Sequence, residues 1–309
     1  MIVYERPNAL RLFFALRGSI LPRIAPSLLT CTLLAVVVTL SHGVLFHWKI
    51  TLTPVPFSLI GLALAIFLGF RNSTAYDRYW EARGLWGRMV QSSRTLARQW
   101  LSLVRPAEDS SAGRQAHGDF VRRCIAHAHM VRHQLRGSTP GPELDGLLDP
   151  QEIDAALRLR LPSEALLRRN AGLLGRALEE GRVAPALAAE IDRSLTELTQ
   201  AHAGCERLRG TPIPFAYMLL LHRTAYLYCF LLPFGLIDQL GFMTPFVVAI
   251  VAYTFFGLDA LGDEIEQPFG LSAHHLPLDA LCRVIEIDLR EALGEPAPPP
   301  LQAVDGCLR

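Results

Sequence analysis

The sequence predicts an all-α membrane protein, with four transmembrane helices per subunit arranged as two hairpins, plus a helical cytosolic domain. Half of the 309 residues are hydrophobic, and they are concentrated in long stretches almost free of charge. The remaining residues alternate apolar and charged side chains with helical periodicity. Strands in a soluble core are roughly 4–8 residues long, so a buried α/β core does not explain stretches of this length.

The uncharged stretches predict the spans. Three of them contain no Asp, Glu, Lys or Arg: the residues between Arg23 and Lys49, between Lys49 and Arg71, and between Asp238 and Asp259. Each supplies about 20 apolar residues, the length that crosses ~30 Å of hydrocarbon. A fourth stretch, 210–237, is interrupted only by His222 and Arg223. A cation at membrane depth must face protein, water or headgroups, and we favour the inner headgroups for Arg223.

Basic residues predict the orientation. Four arginines precede the first span and four follow the second: Arg6, Arg11, Arg17 and Arg23, then Arg71, Arg78, Arg83 and Arg88. The first outer turn carries only Lys49, and the second carries Asp238 and no base. Basic residues near the membrane remain on the cytoplasmic side. We therefore expect both termini and the middle of the chain in the cytoplasm.

This organisation divides the chain into five segments. They are residues 1–71 with the first two spans, 72–209 as the cytosolic helical domain, 210–260 with the last two spans, 261–293 as membrane-proximal cytosolic helices, and 294–309 as a Pro-rich flexible tail. Inside the cytosolic domain we expect a loop over 106–113 and helices over 119–135 and 184–209. Asp149 before Pro150 is an N-cap signal with proline as the first helical residue.

Signatures of enzymes are missing from the sequence. It contains no Walker loop, GxGxxG, HExxH or GxSxG, so we expect no catalytic residues and no cofactor. His127, His129 and His133 form an HxHxxxH pattern that could hold a metal in a membrane enzyme. We favour polar histidines on a helix surface and no metal. The net charge of +1, with bases interspersed among acids, predicts no nucleic-acid partner.

The second span sorts its side chains by size. Within this span, residues four apart form columns of similar size. One column is small, Gly61, Ala65 and Gly69, and the next is large, Leu62, Ile66 and Phe70. The small column permits close approach of another helix, so we expect it to pack against neighbours. Repeated around a symmetry axis, the large column would form three apolar rings that close a pore by dewetting. Spacing alone also fits an ordinary membrane helix.

Acidic residues follow the fourth span at helical spacing. Asp259, Asp263 and Glu266 lie four and three residues apart and therefore on one helix face. We expect them to form structural ion pairs with arginines of the cytosolic domain, such as Arg78 and Arg83.

Four motifs resemble the bestrophin family, especially its bacterial members: GFRNSTAYDRYWEARGLWG (69–87), TPIPFAYMLLLHRT (211–224), LLPFGL (231–236) and MTPFVVAIVAYTFFGLDALGDEIEQPFG (243–270). The resemblance covers about residues 1–105 and 203–293. It implies a homopentameric, passively conducting ion channel of the bacterial inner membrane. The hydrophobic neck would be formed by Leu62, Ile66 and Phe70, and a cytosolic aperture would lie near Ala186. The implied partners are other copies of the chain, membrane lipid and permeant monovalent ions.

The resemblance does not by itself fix the charge of the conducted ion or the regulation of the channel. Animal bestrophins conduct chloride, whereas the bacterial branch implies monovalent cations such as sodium, which we favour. Animal members carry an acidic run directly after Pro-Phe-Gly, part of a calcium clasp. Here Gly270 is followed by Leu-Ser-Ala-His-His, so we expect no calcium site. The alternative to a channel is a non-conducting, membrane-anchored helical scaffold or sensor.

Overall fold

The computed structural model describes residues 1–2, 14–16, 18–41, 44–45, 48–49 and 53–308. Three of the arginines expected before the first span, Arg6, Arg11 and Arg17, lie outside these residues. The α-helices within them are α1 (Leu21–Leu40), α2 (Pro54–Leu103), α3 (Ser111–Arg136), α4 (Pro150–Leu157), α5 (Pro162–Glu179), α6 (Pro185–Gly210), α7 (Phe215–Leu240), α8 (Thr244–Glu266) and α9 (Leu278–Leu293). Two short strands, β1 (Val44–Leu45) and β2 (Trp48–Lys49), pair antiparallel between α1 and α2.

The chain forms two compact units. The apolar unit comprises Tyr4–Tyr79 and Pro212–Pro268, and the polar unit comprises Met1–Val3, Trp80–Thr211 and Phe269–Arg309. Helix α2 contributes its first half to the apolar unit and its second half to the polar unit. Its 50 residues form one uninterrupted helix, about 75 Å long at the usual rise.

Within the described residues, three helical segments are long and apolar enough to cross a membrane: Leu21–Leu40, Val55–Leu103 and Phe215–Glu266. The third segment contains two helices, α7 and α8, which pack against each other. A single 3₁₀ turn, Gly241–Met243, joins them. Gly241 has a φ of 50°, a conformation that glycine adopts without a steric penalty, so the chain can reverse there.

The core of the apolar unit draws on all four of its helices. Helix α1 packs against α8, and Cys31 and Ala35 of α1 are fully buried. Ala252 of α8 is also fully buried. Small side chains let helix backbones approach closely where the surroundings offer no hydrophobic driving force between helices. Larger side chains complete this core: Ile24, Phe57, Leu64, Leu68, Leu221, Leu232, Val248, Phe255 and Phe256.

Threonines of the apolar unit hydrogen-bond to their own helix. The hydroxyl of Thr30 donates to the carbonyl of Pro26 at 2.8 Å, and that of Thr39 donates to Ala35 at 2.7 Å. Thr224 and Thr254 make the same bond to the carbonyl four residues earlier. A hydroxyl satisfied inside its own helix needs no water, which suits a helix surrounded by hydrocarbon.

Helix α3 lies at the centre of the polar unit and packs against α5, α6 and α9. It begins at Ser111, where the Ser110 hydroxyl accepts a hydrogen bond from the Gly113 backbone at 3.0 Å. The expectation of a loop through 113 and a helix starting at 119 was therefore wrong, because the polar run supplies the cap. The helix ends before Gly137, which has a φ of 66°.

The expected cap at Asp149 is confirmed. Its carboxylate accepts from the Gln151 backbone at 2.8 Å, and α4 begins at Pro150.

Beyond α9, Cys307 forms an antiparallel bridge with Ile2.

His127 and His129 are buried in the polar unit, which corrects the prediction of a solvated helix surface. The ring of His127 packs edge-on against that of His202, with centroids 5.6 Å apart. Nε2 of His129 lies 3.7 Å from a carboxylate oxygen of Glu286. The error came from treating α3 as a peripheral helix, whereas its neighbours cover it on several sides.

Burial favours the neutral form of His127 and of His202. Desolvation, and secondarily the neighbouring His202, holds the pKa of His127 well below its ordinary value. Desolvation also lowers the pKa of His202, although the carboxylate of Glu206 partly opposes this. A buried imidazole surrounded by apolar groups disfavours its charged form.

The lowered pKa values of His127 and His202 predict acid sensitivity. Their pKa values are lower in the folded protein than in the unfolded chain, so the unfolded chain binds more protons below about pH 6.5. Stability is thus fully present above that pH and falls as the pH drops below it, by at most about 1.4 kcal/mol per pH unit for each histidine. We expect the melting temperature in detergent to fall on acidification, and to fall less in His127→Leu. His274→Gln serves as a control, and an equal acid response in His127→Leu would contradict this account.

Candidate functional site

The large column of α2 is exposed in the subunit. Leu62, Ile66 and Phe70 are 62%, 48% and 62% exposed. On the opposite side of the helix, Leu64 and Leu68 are only 2% and 0% exposed and lie in the core. The helix therefore buries one apolar face and presents another. These side chains carry no nucleophile or titratable group, so the column can contact lipid, protein or water but cannot perform covalent chemistry.

The small column changes its surroundings along the helix. A Cβ placed on Gly61 would lie 2.6 Å from the hydroxyl of Tyr228, so this position packs closely against α7. Ala65 is exposed, and a Cβ on Gly69 would meet nothing within 4 Å. Residues four apart on an α-helix point in directions that differ by about 40°, so such a column winds gradually around the helix. Gly61 points beside the core face, and Gly69 points towards the exposed column.

The exposed face continues past Phe70 to an acid. Counting about 100° per residue, Asp77 points ~60° from Leu62, between Ile66 at ~40° and Phe70 at ~80°. Asp77 is exposed. It places a carboxylate on the same side of α2, two turns beyond the last apolar member of the column. The size pattern drew attention to residues 59–70 and not to Asp77, although the helical repeat alone could have found it.

A buried arginine follows directly after the column. Arg71 is 0% exposed, and its Nη1 donates to the Asp259 carboxylate at 2.6 Å and to the Asp259 backbone carbonyl at 3.2 Å. Its Nη2 binds the carboxylate of Asp263. The other Asp263 oxygen accepts from Arg23 at 3.2 Å, and Arg23 also binds Glu264 at 2.7 Å. Helices α1, α2 and α8 are joined through these charges.

These bonds give the acidic residues partners other than those named from sequence. Asp259 and Asp263 share one face as expected, and both bind Arg71, an arginine that the sequence analysis did not name as their partner. The four-residue spacing of Asp259 and Asp263 could have indicated a shared arginine, because the two ends of a guanidinium fit carboxylates one helical turn apart.

Glu266 has a different role from its two neighbours on that face. Its buried carboxylate accepts from the Ile213 backbone at 2.9 Å, at the entrance to α7. Arg78 reaches the backbone carbonyl of Glu266 at 3.4 Å. Arg83 belongs to the polar unit.

The remaining candidate, Ala186, lies in the first turn of α6 and is exposed. A small, exposed side chain at the start of a helix can border a passage without blocking it. Among the residues that the structure describes, no group of three or more His, Cys, Asp or Glu side chains could hold a metal ion.

The two ends of the small column give a matched pair of substitutions. Gly61→Leu forces a side chain against Tyr228, and overpacking of this kind typically costs ~1–3 kcal/mol. We expect a clear drop in the melting temperature of the purified protein. Gly69→Leu meets open space within the subunit, so it should alter the melting temperature less and act mainly on oligomer size in size exclusion. A stable Gly61→Leu protein would contradict the packing described for α2.

Comparison with known proteins places the chain in a family. The family model for the bacterial/fungal bestrophin protein matches residues 1–291. A voltage-dependent anion channel-forming protein of Mesorhizobium japonicum is 43% identical over 98% of this chain and 96% of its own length. The voltage-dependent anion channel-forming protein YneE of Escherichia coli K12 is 39% identical over 96% of this chain and 95% of its own length.

A solved structure is similar as well. The crystal structure of a bacterial bestrophin homologue from Klebsiella pneumoniae superimposes with a TM-score of 0.80 at 40% identity, covering 88% of this chain and 99% of that one. Family model, relatives and fold agree over most of the length. The chain belongs to the bacterial/fungal bestrophin family.

Proposed function

We propose that this protein conducts monovalent ions passively across the bacterial inner membrane, as a homopentamer around one pore. The exposed column of Leu62, Ile66 and Phe70 carries this proposal. Five copies of α2 around an axis would stack these side chains into three apolar rings. Water is unfavourable in a narrow apolar constriction, and an ion without water faces a barrier, so such rings can gate without any charge.

Four membrane crossings per chain suit the lengths of the helices. Helices α7 and α8 have 26 and 23 residues, or about 39 and 35 Å, and each is long enough to cross ~30 Å of hydrocarbon. With α1 and the first half of α2 they make four crossings. Arg23, in the first turn of α1, and the basic residues in the second half of α2 would then lie on the cytoplasmic side, with both termini.

The polar unit would form the cytosolic part of the pathway. In that arrangement Ala186 borders an aperture, and its small side chain leaves room for a hydrated ion. Ala65 and Gly69 would face a neighbouring subunit, because they are exposed and small. The partners of the chain are other copies of itself, membrane lipid and the ions.

For the sign of the ion we propose a preference for cations such as sodium. Asp77 is exposed on the face of α2 that carries the neck, and in a pentamer it would contribute a ring of five carboxylates. Acidic rings raise the local concentration of cations. The neck itself is uncharged and selects by size and hydration.

Anion conduction is the second candidate, and the names of the related proteins favour it. The Mesorhizobium and Escherichia proteins are both named anion channel-forming, at 43% and 39% identity. A non-conducting scaffold or sensor is the third, and an intact complex without ion flux would support it.

The neck can be tested by shrinking it. Phe70→Ala should widen the last ring and let water enter, because the side chain is exposed and takes little part in the core. We expect ion flux into liposomes to rise on the order of tenfold, equivalent to lowering the barrier by about 1.4 kcal/mol. Phe67→Ala is the matched control, since Phe67 is exposed on another side of the helix. Equal flux in Phe70→Ala, Ile66→Ala and wild-type pentamers would rule out this column as the gate.

Ion sign can be tested through Asp77. In bilayers under a steep NaCl gradient, the reversal potential of the wild type should lie on the cation side. Asp77→Asn should move it towards zero, because the carboxylate ring is lost. Asp154→Asn, an exposed acid on α4, is the control and should leave it unchanged. A wild-type reversal potential on the anion side would establish the second candidate instead.

A further inference from the structure

A groove of about 650 Å³ lies between the second half of α2 and helix α6, within the polar unit. Its walls include Arg88 and Gln91 of α2 and Glu197, Gln200 and Arg207 of α6. A volume of this order is usual for sites that bind small molecules. None of the residues proposed above for the neck or the aperture lines this groove, so the proposed pathway does not account for its chemistry.

Two side-chain contacts mark the ends of the groove. Near one end, the carboxylate of Glu81 binds Nη2 of Arg207. At the other end, the Ser92 hydroxyl donates to the Glu197 carboxylate at 3.0 Å. The residue numbers rise on α2 while they fall on α6, so the two helices run antiparallel. Arg88 lies between these contacts, one helical turn before Ser92 and therefore about 6 Å from it along the helix axis.

The floor of the groove is apolar and closely packed. Leu85 of α2 and Ala201 of α6 are buried. A Cβ placed on Gly204 would lie 2.5 Å from Cδ2 of Leu85, so the two helices approach closely there. A molecule in the groove would bury its apolar atoms against this floor while its polar atoms meet the side chains of the walls. Walls that are already fixed reduce the ordering cost of binding.

Two opposite charges in the groove have no charged partner among the described residues. Within that part of the chain, Arg88 forms no ion pair, and Glu197 receives its side-chain hydrogen bond from the uncharged hydroxyl of Ser92. Both side chains are exposed, and they do not pair with each other. By contrast, Arg94, further along α2, binds Asp288 at 2.5 Å. The groove thus presents one unmatched charge of each sign, about one helical turn apart.

We infer that this groove binds a small zwitterionic amino acid, whose carboxylate lies against Arg88 and whose ammonium lies against Glu197. The planar guanidinium offers a carboxylate two parallel N–H donors. One Glu197 oxygen accepts from Ser92, and the other can accept from an ammonium group. The side-chain amides of Gln91 and Gln200 line the interval and supply further donors and acceptors.

The two charges also restrict which amino acid fits. A ligand of one sign would leave either Arg88 or Glu197 without a counter-charge. Because the two side chains project from levels about 6 Å apart, a ligand whose charges are separated by several bonds suits them better than one whose charges are adjacent. This binding does not depend on conduction, so the inference stands or falls separately from the proposed function.

Isothermal titration calorimetry on the purified protein in detergent tests the site with three probes of matched length. They are δ-aminovalerate, which carries both charges, valerate, which carries the carboxylate alone, and pentylamine, which carries the ammonium alone. We expect δ-aminovalerate to bind about fivefold more tightly than either of the others. The reason is that each single-charge probe loses one charge-assisted hydrogen bond at a partly exposed site.

Substitutions then assign each charge to its partner. Arg88→Gln should remove the advantage of δ-aminovalerate over pentylamine, and Glu197→Gln should remove its advantage over valerate. The double variant Arg88→Glu, Glu197→Arg exchanges the two charges and should restore part of the binding, with the ligand reversed. Arg98→Gln is the control, because Arg98 is exposed on α2 outside the groove. The exposed positions of Arg88 and Glu197 leave the fold intact, which an unchanged melting temperature would verify.

Several results would overturn the inference. These are no binding of δ-aminovalerate to wild type, equal binding of δ-aminovalerate and valerate, and equal affinity of wild type and Arg88→Gln for δ-aminovalerate. A smaller particle in size exclusion for Arg88→Gln or Glu197→Gln would also overturn it, since another copy of the chain would then occupy the groove.

Discussion

The arrangement of helix α2 depends on the buried ion pair between Arg71 and Asp259. An arginine without a counter-charge is very unfavourable away from water, and removing one partner of a buried pair typically costs ~3–5 kcal/mol. Asp259 and Asp263 thus require α2 to meet α8 at one particular point. That point lies one residue beyond Phe70, so the bond that satisfies the charge also sets the height and rotation of the column formed by Leu62, Ile66 and Phe70.

This constraint matters because hydrophobicity cannot orient a helix in lipid. Apart from Ser58, residues 54–70 carry no polar side chain, and lipid tails solvate Leu62 as well as they solvate Leu64. Rotation must come from contacts that differ in shape or charge. The close approach of Gly61 to Tyr228 supplies the first, and the pairing of Arg71 supplies the second. Between them, Leu64 and Leu68 enter the core while Leu62, Ile66 and Phe70 remain outside it.

The same physics explains what the sequence could and could not predict. Long uncharged stretches and a four-residue size pattern are local, so the apolar segments and the column of Leu62, Ile66 and Phe70 could be picked out from the sequence. Ion-pair partners are not local in the sequence. Arg71 lies 188 residues before Asp259, and without the fold Arg78 and Arg83 were equally good candidates for pairing with that carboxylate. His127 was misjudged because a polar helix can occupy the centre of a domain when α5, α6 and α9 surround it. The start of α3 was misplaced because capping residues resemble a loop.

Cysteine accessibility tests most directly whether the exposed column of α2 lines the ion pathway. A membrane-impermeant cationic thiosulfonate would be added to conducting liposomes that carry either Ile66→Cys or Leu64→Cys. The native Cys31 and Cys229 are buried in the apolar unit, so wild type provides the background. We expect the reagent to change the flux of Ile66→Cys and to leave that of Leu64→Cys and wild type unaltered. A flux change at position 64 with none at position 66 would contradict it.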